Sequence, residues 1–197
     1  MQCSCRLPST KAVKNYTKKK TRRYKEQSSE KVEKYLTEIY GIDPESIVYV
    51  DETGIDTFLQ REYAYSKRGE PVIGYVAGKK YRRVGIVAAR VGKKIIAPFQ
   101  YDGTMDSMLF EFWFENCLLC ELPPNSVIVM DNASFHRKKR LVSLTLCHGH
   151  RLVFLPPYSP ELNPIEKFWA WLKMRLKFVL PTGLSFDDAL RYCFMVN

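Results

Sequence analysis

The chain has 197 residues, of which 46% are hydrophobic and 26% charged, enough for one domain with a substantial core and a short appendage. No apolar run approaches the roughly 18 residues that a membrane span requires. Met1 to Thr10 carries polar residues and two cysteines where a secretory leader needs an apolar stretch of roughly 7–15 residues, so the expected location is cytoplasmic, with thiols reduced and no membrane partner.

The formal net charge is +10, and its placement is more informative than its size. Residues 1–25 contain nine bases (Arg6, Lys11, Lys14, Lys18, Lys19, Lys20, Arg22, Arg23 and Lys25) and no acid, while the remainder holds 22 bases against 21 acids. A polycation of this kind is either a solvated tail or an arm that neutralises phosphates along a nucleic acid. The expected organisation is a basic arm or linker over 1–27 followed by one domain over 28–197. No internal repeat of roughly 20–50 residues is present.

Ser28 to Ile39 places Val32, Tyr35, Leu36 and Ile39 at helical spacing with Ser29 as the cap, and Gly41-Ile-Asp-Pro ends the run. Ile47-Val-Tyr-Val50 is continuously apolar, which predicts a strand buried on both faces that stops at Asp51. Tyr81–Ala89 and Lys94–Tyr101 are rich in strand formers on either side of a Gly92 turn and predict a hairpin. Asp106–Cys120 predicts an amphipathic helix whose cysteines fill an apolar face. The other reading of Cys117 and Cys120 joins them to Cys147, His148 and His150 as zinc ligands.

Ser126-Val-Ile-Val-Met130 repeats the earlier pattern, a short buried strand that runs into an acid, Asp131. A helix over Lys138–Leu146, a strand over Arg151–Phe154, a proline-rich loop over Pro156–Pro164 and a helix over Ile165–Phe178 follow. Strands in a meander and then alternating with helices predict an α/β fold, a mixed sheet covered by helices. Whether the residues after Phe186 form a full helix is left open by the sequence.

Acids directly after buried strands sit at the carboxyl edge of a sheet, where open α/β folds bind their ligands. Parallel neighbouring strands would stand Asp51 and Asp131 side by side, about 4.8 Å apart, close enough to share a cation. Taken singly, either acid is equally an ordinary turn residue. Glu166 has a sharp structural explanation, since Asn163 as N-cap, Pro164 as first helical residue and Glu166 three after the cap make a capping box. That box does not account for the polar stripe of Glu166, Lys173 and Lys177 on a helix whose Ile165, Phe168, Trp169, Leu172 and Leu176 face a core. Three carboxylates within about 4 Å repel by several kcal/mol per pair at an effective dielectric near 20, so without a cation at least one protonates. An oxygen-only ligand set favours Mg²⁺ or Mn²⁺ over zinc.

Val50-Asp-Glu-Thr-Gly54, Val129-Met-Asp-Asn-Ala-Ser-Phe-His136 and Leu155-Pro-Pro-Tyr-Ser-Pro-Glu-Leu-Asn-Pro-Ile-Glu-Lys-Phe-Trp169 resemble the three catalytic blocks of DDE transposases. They are similar in particular to the bacterial insertion-sequence branch of the mariner superfamily, the 630 group, and the 34 residues between Asp131 and Glu166 match the spacing typical of that branch. The third block is long and very specific, the first weak alone; together the likeness runs from about Lys18 to about Phe178.

The resemblance implies a ribonuclease-H-like fold, a mixed five-stranded sheet flanked by helices, and two Mg²⁺ or Mn²⁺ ions. Asp51 would bridge both ions, with Asp131 and Glu166 each completing one. Water and then a 3′-hydroxyl would be the nucleophiles, first freeing transposon ends and then joining them to target DNA, commonly at TA. Glu52, Asn132 and His136 are candidates to orient those ligands, and Lys18, Lys19, Lys20, Arg22, Arg23, Lys173 and Lys177 to contact DNA. A homodimer on paired ends is expected, on the nucleoid if the source is bacterial. Full-length relatives carry amino-terminal helix-turn-helix domains that read the ends, and nothing before Ser28 has the length for one, so that part is expected to be encoded separately or lost. Two alternatives stay open: a catalytically inert transposase-derived DNA-binding fragment, and a related ribonuclease-H-like endonuclease.

Overall fold

Ile47–Asp56 (β1), Arg83–Val91 (β2), Lys94–Asp102 (β3), Val127–Met130 (β4) and Arg151–Phe154 (β5) form one mixed sheet in the computed structural model, which describes residues 24–57, 59, 65–73 and 82–196. The strand order is β3-β2-β1-β4-β5. β1 pairs antiparallel with β2, and β2 with β3; β1 pairs parallel with β4, and β4 with β5. The helices are α1 (Ser29–Ile39), α2 (Ser107–Trp113), which runs through a π-helical stretch at Phe114–Leu118 into α3 (Leu119–Glu121), α4 (Lys138–Cys147), α5 (Ile165–Val179) and α6 (Phe186–Met195).

Alternation along the strands assigns each residue to one of two cores. Val48 and Val50 of β1 and Val87 and Ala89 of β2 pack with Phe110, Trp113, Phe114 and Leu118 of the α2 segment and Leu141 of α4. On the opposite face Ile55, Val84, Ile86 and Ala88 meet Ile165, Phe168, Trp169, Leu172 and Leu176 of α5 and Ala189, Leu190 and Cys193 of α6. The sheet is thus covered by helices on both sides, the α/β arrangement the sequence predicts. A smaller cluster joins Tyr35 of α1 to Ile47, Val127, Val129 and Val153.

Several boundaries depart from expectation. The cap of α1 is Ser28, not Ser29: the Ser28 hydroxyl accepts from the Lys31 amide at 3.4 Å. Leu36, expected on the buried stripe, is exposed. β1 does not stop at Asp51 but continues to Asp56, because β2 pairs with it from Val48 through Asp56. Cys117 is half-buried against the core, as an apolar-face residue should be, whereas Cys120 is exposed. The residues after Phe186 form the full helix α6, capped by the Ser185 hydroxyl. Among the described residues no helix is long and apolar enough to cross a membrane.

The hairpin β2–β3 contains a bulge. Val87 pairs with Phe99 but Ala89 pairs with Ile96, so Ala97 and Pro98 together oppose a single residue, and Ala97 takes a left-handed backbone (φ 47°). The backbone groups released from the ladder find partners on the α2–α3 segment. The Ala97 amide donates to Glu121 Oε2 at 3.0 Å, and its carbonyl accepts from Nε1 of the fully buried Trp113 at 2.8 Å. Trp113→Phe should therefore lose a buried hydrogen bond and leave a void, lowering stability by about 1–3 kcal/mol in urea unfolding. A change within experimental error would mean the Ala97 carbonyl is satisfied by other means.

Candidate active site

The parallel register of β1 with β4 sets Ile47 opposite Val127 and Tyr49 opposite Val129. Carried two residues further, it brings Asp51 level with Asp131, on the same face of the sheet. β4 ends at Met130, so Asp131 lies at a free carboxyl edge; Asp51, although inside β1, has lost its β4 neighbour at that point. The backbone past β4 is still tied down, since the Leu155 amide after β5 donates to the Met130 carbonyl at 2.8 Å. α5 brings Glu166 in from the third side. Asp51, Asp131 and Glu166 line one open cleft of about 610 Å³, together with Asn132, Asn163 and the proline-rich loop.

Burial, followed by the charges of Glu166, Glu52 and Asp131, pushes the Asp51 carboxyl up to about pKa 8. Its Oδ2 accepts from Trp169 Nε1 at 3.0 Å, so a helix that packs in the core also fixes the orientation of this carboxylate. Asp131 is held by its own loop, with Oδ1 accepting the Ala133 amide at 2.9 Å as in an Asx turn. Asn132 Nδ2 donates to the Leu155 carbonyl at 2.6 Å, and Lys138 Nζ donates to Asn132 Oδ1 at 2.6 Å, locking the loop between β4 and α4 against the start of the proline-rich loop.

His136 is buried between Phe110 and Phe135, with ring centroids 4.4 and 4.3 Å away. Its Nδ1 lies 3.6 Å from Asp131 Oδ1 and its Nε2 3.7 Å from Glu52 Oε1. Glu52 is adjacent to Asp51 in sequence but points to the opposite face of the sheet, where it lines a separate cavity with Arg83, Tyr101 and Phe135. It reaches toward the Asp131 side through His136.

The capping box does not form. Asn163 is 4% exposed and its Oδ1 is buried without a hydrogen-bond partner; the Glu166 amide bonds the Asn163 carbonyl instead, and no side chain caps α5. Glu166 is consequently not engaged in capping. What secures the start of α5 is Arg90 of β2, whose Nη1 donates to the Pro164 carbonyl at 2.7 Å while Nε donates to the Gly92 carbonyl at 2.9 Å. Sequence reasoning missed this arginine, and also Trp169 as a partner of Asp51, because an arginine in a strand and a tryptophan on a core stripe carry no local sign of what they reach.

The remaining expected residues are dispersed. Lys173 and Lys177 are half-buried on α5 and do not line the cleft. Lys18, Lys19, Lys20, Arg22 and Arg23 lie outside the described residues. For the zinc reading, His150 uses Nδ1 to accept the Ser126 amide at 3.2 Å, and burial lowers its pKa. Among the described residues, no three His, Cys, Asp or Glu side chains are set to hold an ion as they stand. The three acids of the cleft nevertheless offer oxygen donors only, and the raised Asp51 carboxyl reflects burial and, after it, crowded like charge that a hard divalent cation would relieve, so the donor chemistry suits Mg²⁺ or Mn²⁺.

Residues 46–179 match the family model of the DDE superfamily endonucleases. An uncharacterized protein of Sinorhizobium fredii (strain NBRC 101917 / NGR234), y4pE/y4sA, is 32% identical over 74 residues, which is 35% of this chain and 48% of that protein. The Mos1 transposase paired-end complex with left transposon end is similar at a TM-score of 0.65 and 16% identity, over 83% of this chain and 54% of that one. The Mos1 mariner paired-end complex with Mn gives 0.61 and 13%, over 93% and 65%. The Mos1 transposase catalytic domain with Raltegravir and Mg gives 0.53 and 13%, over 85% and 91%. At these identities the likeness is one of fold, and that fold is the ribonuclease-H-like α/β sheet. The chain spans about half the length of the curated relative it matches and of the first of these transposase chains.

A carboxyl with a raised folded pKa favours the folded state while protonated; that contribution is present below the ordinary carboxylate range and is lost as pH climbs through about 8. In metal-free protein Asp51→Asn should therefore melt above wild type at about pH 9, by on the order of several degrees, and lose that advantage near pH 4. Circular-dichroism melts across pH test this, and an offset independent of pH would contradict the raised pKa.

Proposed function

The chain belongs to the DDE superfamily endonucleases, and from that footing we propose that it is the catalytic part of a DNA transposase, in the bacterial insertion-sequence branch of the mariner superfamily. The observation that carries this reading is the meeting of Asp51, Asp131 and Glu166 in one cleft, with Asp51 buried and crowded enough to hold its proton to about pH 8. Asp51, Asp131 and Glu166 would hold two Mg²⁺ or Mn²⁺ ions, which would supply the charge stabilisation that an in-line phosphodiester displacement needs. The Mos1 paired-end complexes with Mn and with Mg support that choice of cofactor.

Each acid has a distinct support for its role. Asp51 sits on a strand paired with β2 from Val48 through Asp56 and is oriented by Trp169, which would suit it to the role of ligand to both ions. Asp131 is steadied by the Ala133 amide, with His136 behind it, and Glu166 is brought in by a helix whose start Arg90 secures. In the first reaction a water oxygen attacks phosphorus at the transposon end, the bond from phosphorus to the 3′-oxygen breaks, the water gives up a proton to solvent and the leaving 3′-oxygen takes one from solvent to become a hydroxyl. In the second the freed 3′-hydroxyl attacks a target phosphorus and loses its proton to solvent, while the displaced target 3′-oxygen takes one up. No protein nucleophile takes part.

On the same reading the basic arm over 1–27 precedes the catalytic domain over 28–197, and Lys18, Lys19, Lys20, Arg22, Arg23, Lys173 and Lys177 contact DNA phosphates. The chain pairs as a homodimer on two transposon ends and joins them at a TA target. The Mos1 complex with the left transposon end supports DNA as the partner.

Nicking of a labelled duplex by the purified chain in Mg²⁺ or Mn²⁺, beside Asp131→Ala and Glu166→Ala, tests the assignment. Cleavage should require metal and vanish in both variants, while His136→Ala should retain it at a rate roughly 10–100-fold lower, the usual cost of removing a group that orients a metal ligand. Cleavage that survives either acid substitution would remove the carboxylate mechanism. Salt-sensitive DNA binding without any cleavage would favour the inert DNA-binding fragment.

A further inference from the structure

The proline-rich loop carries an exposed, constrained aromatic ring that the reaction above does not use. Tyr158 has a left-handed backbone (φ 58°), which a bulky side chain adopts only where its surroundings impose it. Those surroundings are visible. Ser159 is 4% exposed, and its hydroxyl accepts from Gln27 Nε2 at 2.8 Å and donates to the Pro157 carbonyl at 3.3 Å. The Ser159 and Pro160 carbonyls accept from the Leu162 and Asn163 amides at 3.1 and 3.0 Å. Gln27 also bonds the Glu161 carboxylate. The loop is therefore anchored on both sides of Tyr158, yet Tyr158 remains 55% exposed. Tyr24 stands beside it, 57% exposed, with ring centroids 5.9 Å apart and planes at 40°. Both rings line the cleft that contains Asp51, Asp131 and Glu166.

Two anchored, half-open aromatic rings beside a phosphodiester-cutting site suit one kind of ligand surface. They offer no charge to a phosphate. They do offer flat faces, and stacking on such faces is how proteins hold single-stranded bases without reading their sequence. A base inside a duplex has both faces covered, so only an unpaired base reaches them. We propose that Tyr158 and Tyr24 form a stacking platform for one unpaired nucleobase next to the phosphodiester held at the carboxylates. The inference rests on the DNA-processing reading above. It explains why a strained tyrosine is kept exposed: the strain aims the ring into the cleft, while Gln27 fastens its own segment to the loop.

The experiment is fluorescence anisotropy of the full chain in Ca²⁺ with a labelled duplex bearing a 3′ single-stranded overhang, and with the same duplex whose overhang is abasic. Wild type and Tyr158→Phe should bind the base-containing overhang about tenfold more tightly than the abasic one. Tyr158→Ala and Tyr158→Gly should bind both DNAs alike, at the wild-type abasic level. The glycine variant guards against misfolding, because glycine accepts the left-handed backbone without strain and its melting temperature should equal or exceed that of the alanine variant. Equal binding of both DNAs by wild type, or discrimination that persists in Tyr158→Gly, overturns the platform and leaves the DNA-processing reading intact. Failure of wild type to bind either DNA overturns both.

Discussion

Strand β1 is held differently on its two sides, and the site depends on that asymmetry. Toward β2 it is paired from Val48 to Asp56; toward β4 only from Ile47 to Tyr49. The first pairing makes the backbone under Asp51 rigid, and the early end of the second opens a gap into which the Asp51 and Asp131 side chains both project. A carboxylate at the end of an unpaired strand could move away from its neighbours; one in the middle of a paired strand cannot. Asp51 therefore bears the full effect of burial and of Glu166, Glu52 and Asp131, and its pKa rises to about 8.

Around that strand the other two acids are set by devices of different reach. Asp131 uses the nearest amide of its own loop, and the loop is in turn bound to α2, where the buried Glu111 carboxylate receives Arg137 through two bonds of 2.6 Å and Arg140 at 3.0 Å. Glu166 depends on long-range contacts, from Arg90 to the Pro164 carbonyl and from the burial of Ile165 and Trp169 behind it. Loop, sheet and helix are thus cross-braced at the site, and the groups that touch the acids come from both cores.

Much of this was legible in the sequence, for identifiable reasons. Ile47–Val50 and Ser126–Met130 are short, apolar and followed by acids, so two buried strands, each leading into an acid, could be read from local pattern alone. The stripe of α5 was equally plain, and Ile165, Phe168, Trp169, Leu172 and Leu176 all enter the predicted core. What failed were inferences where a tertiary partner overrides local chemistry. β2 carries β1 past Asp51, and with Arg90 holding the Pro164 carbonyl the Glu166 amide takes the Asn163 carbonyl in place of its side chain. The left-handed Tyr158 has no signature at all, since it follows from anchors as distant in sequence as Gln27.

The bulge at Ala97 and Pro98 bears on how the molecule behaves among copies of itself. β3 lies at the outer margin of the sheet, and a long regular strand there would offer a row of free backbone groups to any extended chain that met it. Proline removes one donor from that row, the left-handed Ala97 breaks its spacing, and the Ala97 amide and carbonyl are turned inward to Glu121 and Trp113. A feature that fastens the hairpin to α2 thus also makes this margin a poor template for sheet growth, so the molecule is guarded on that side against uncontrolled strand-to-strand association.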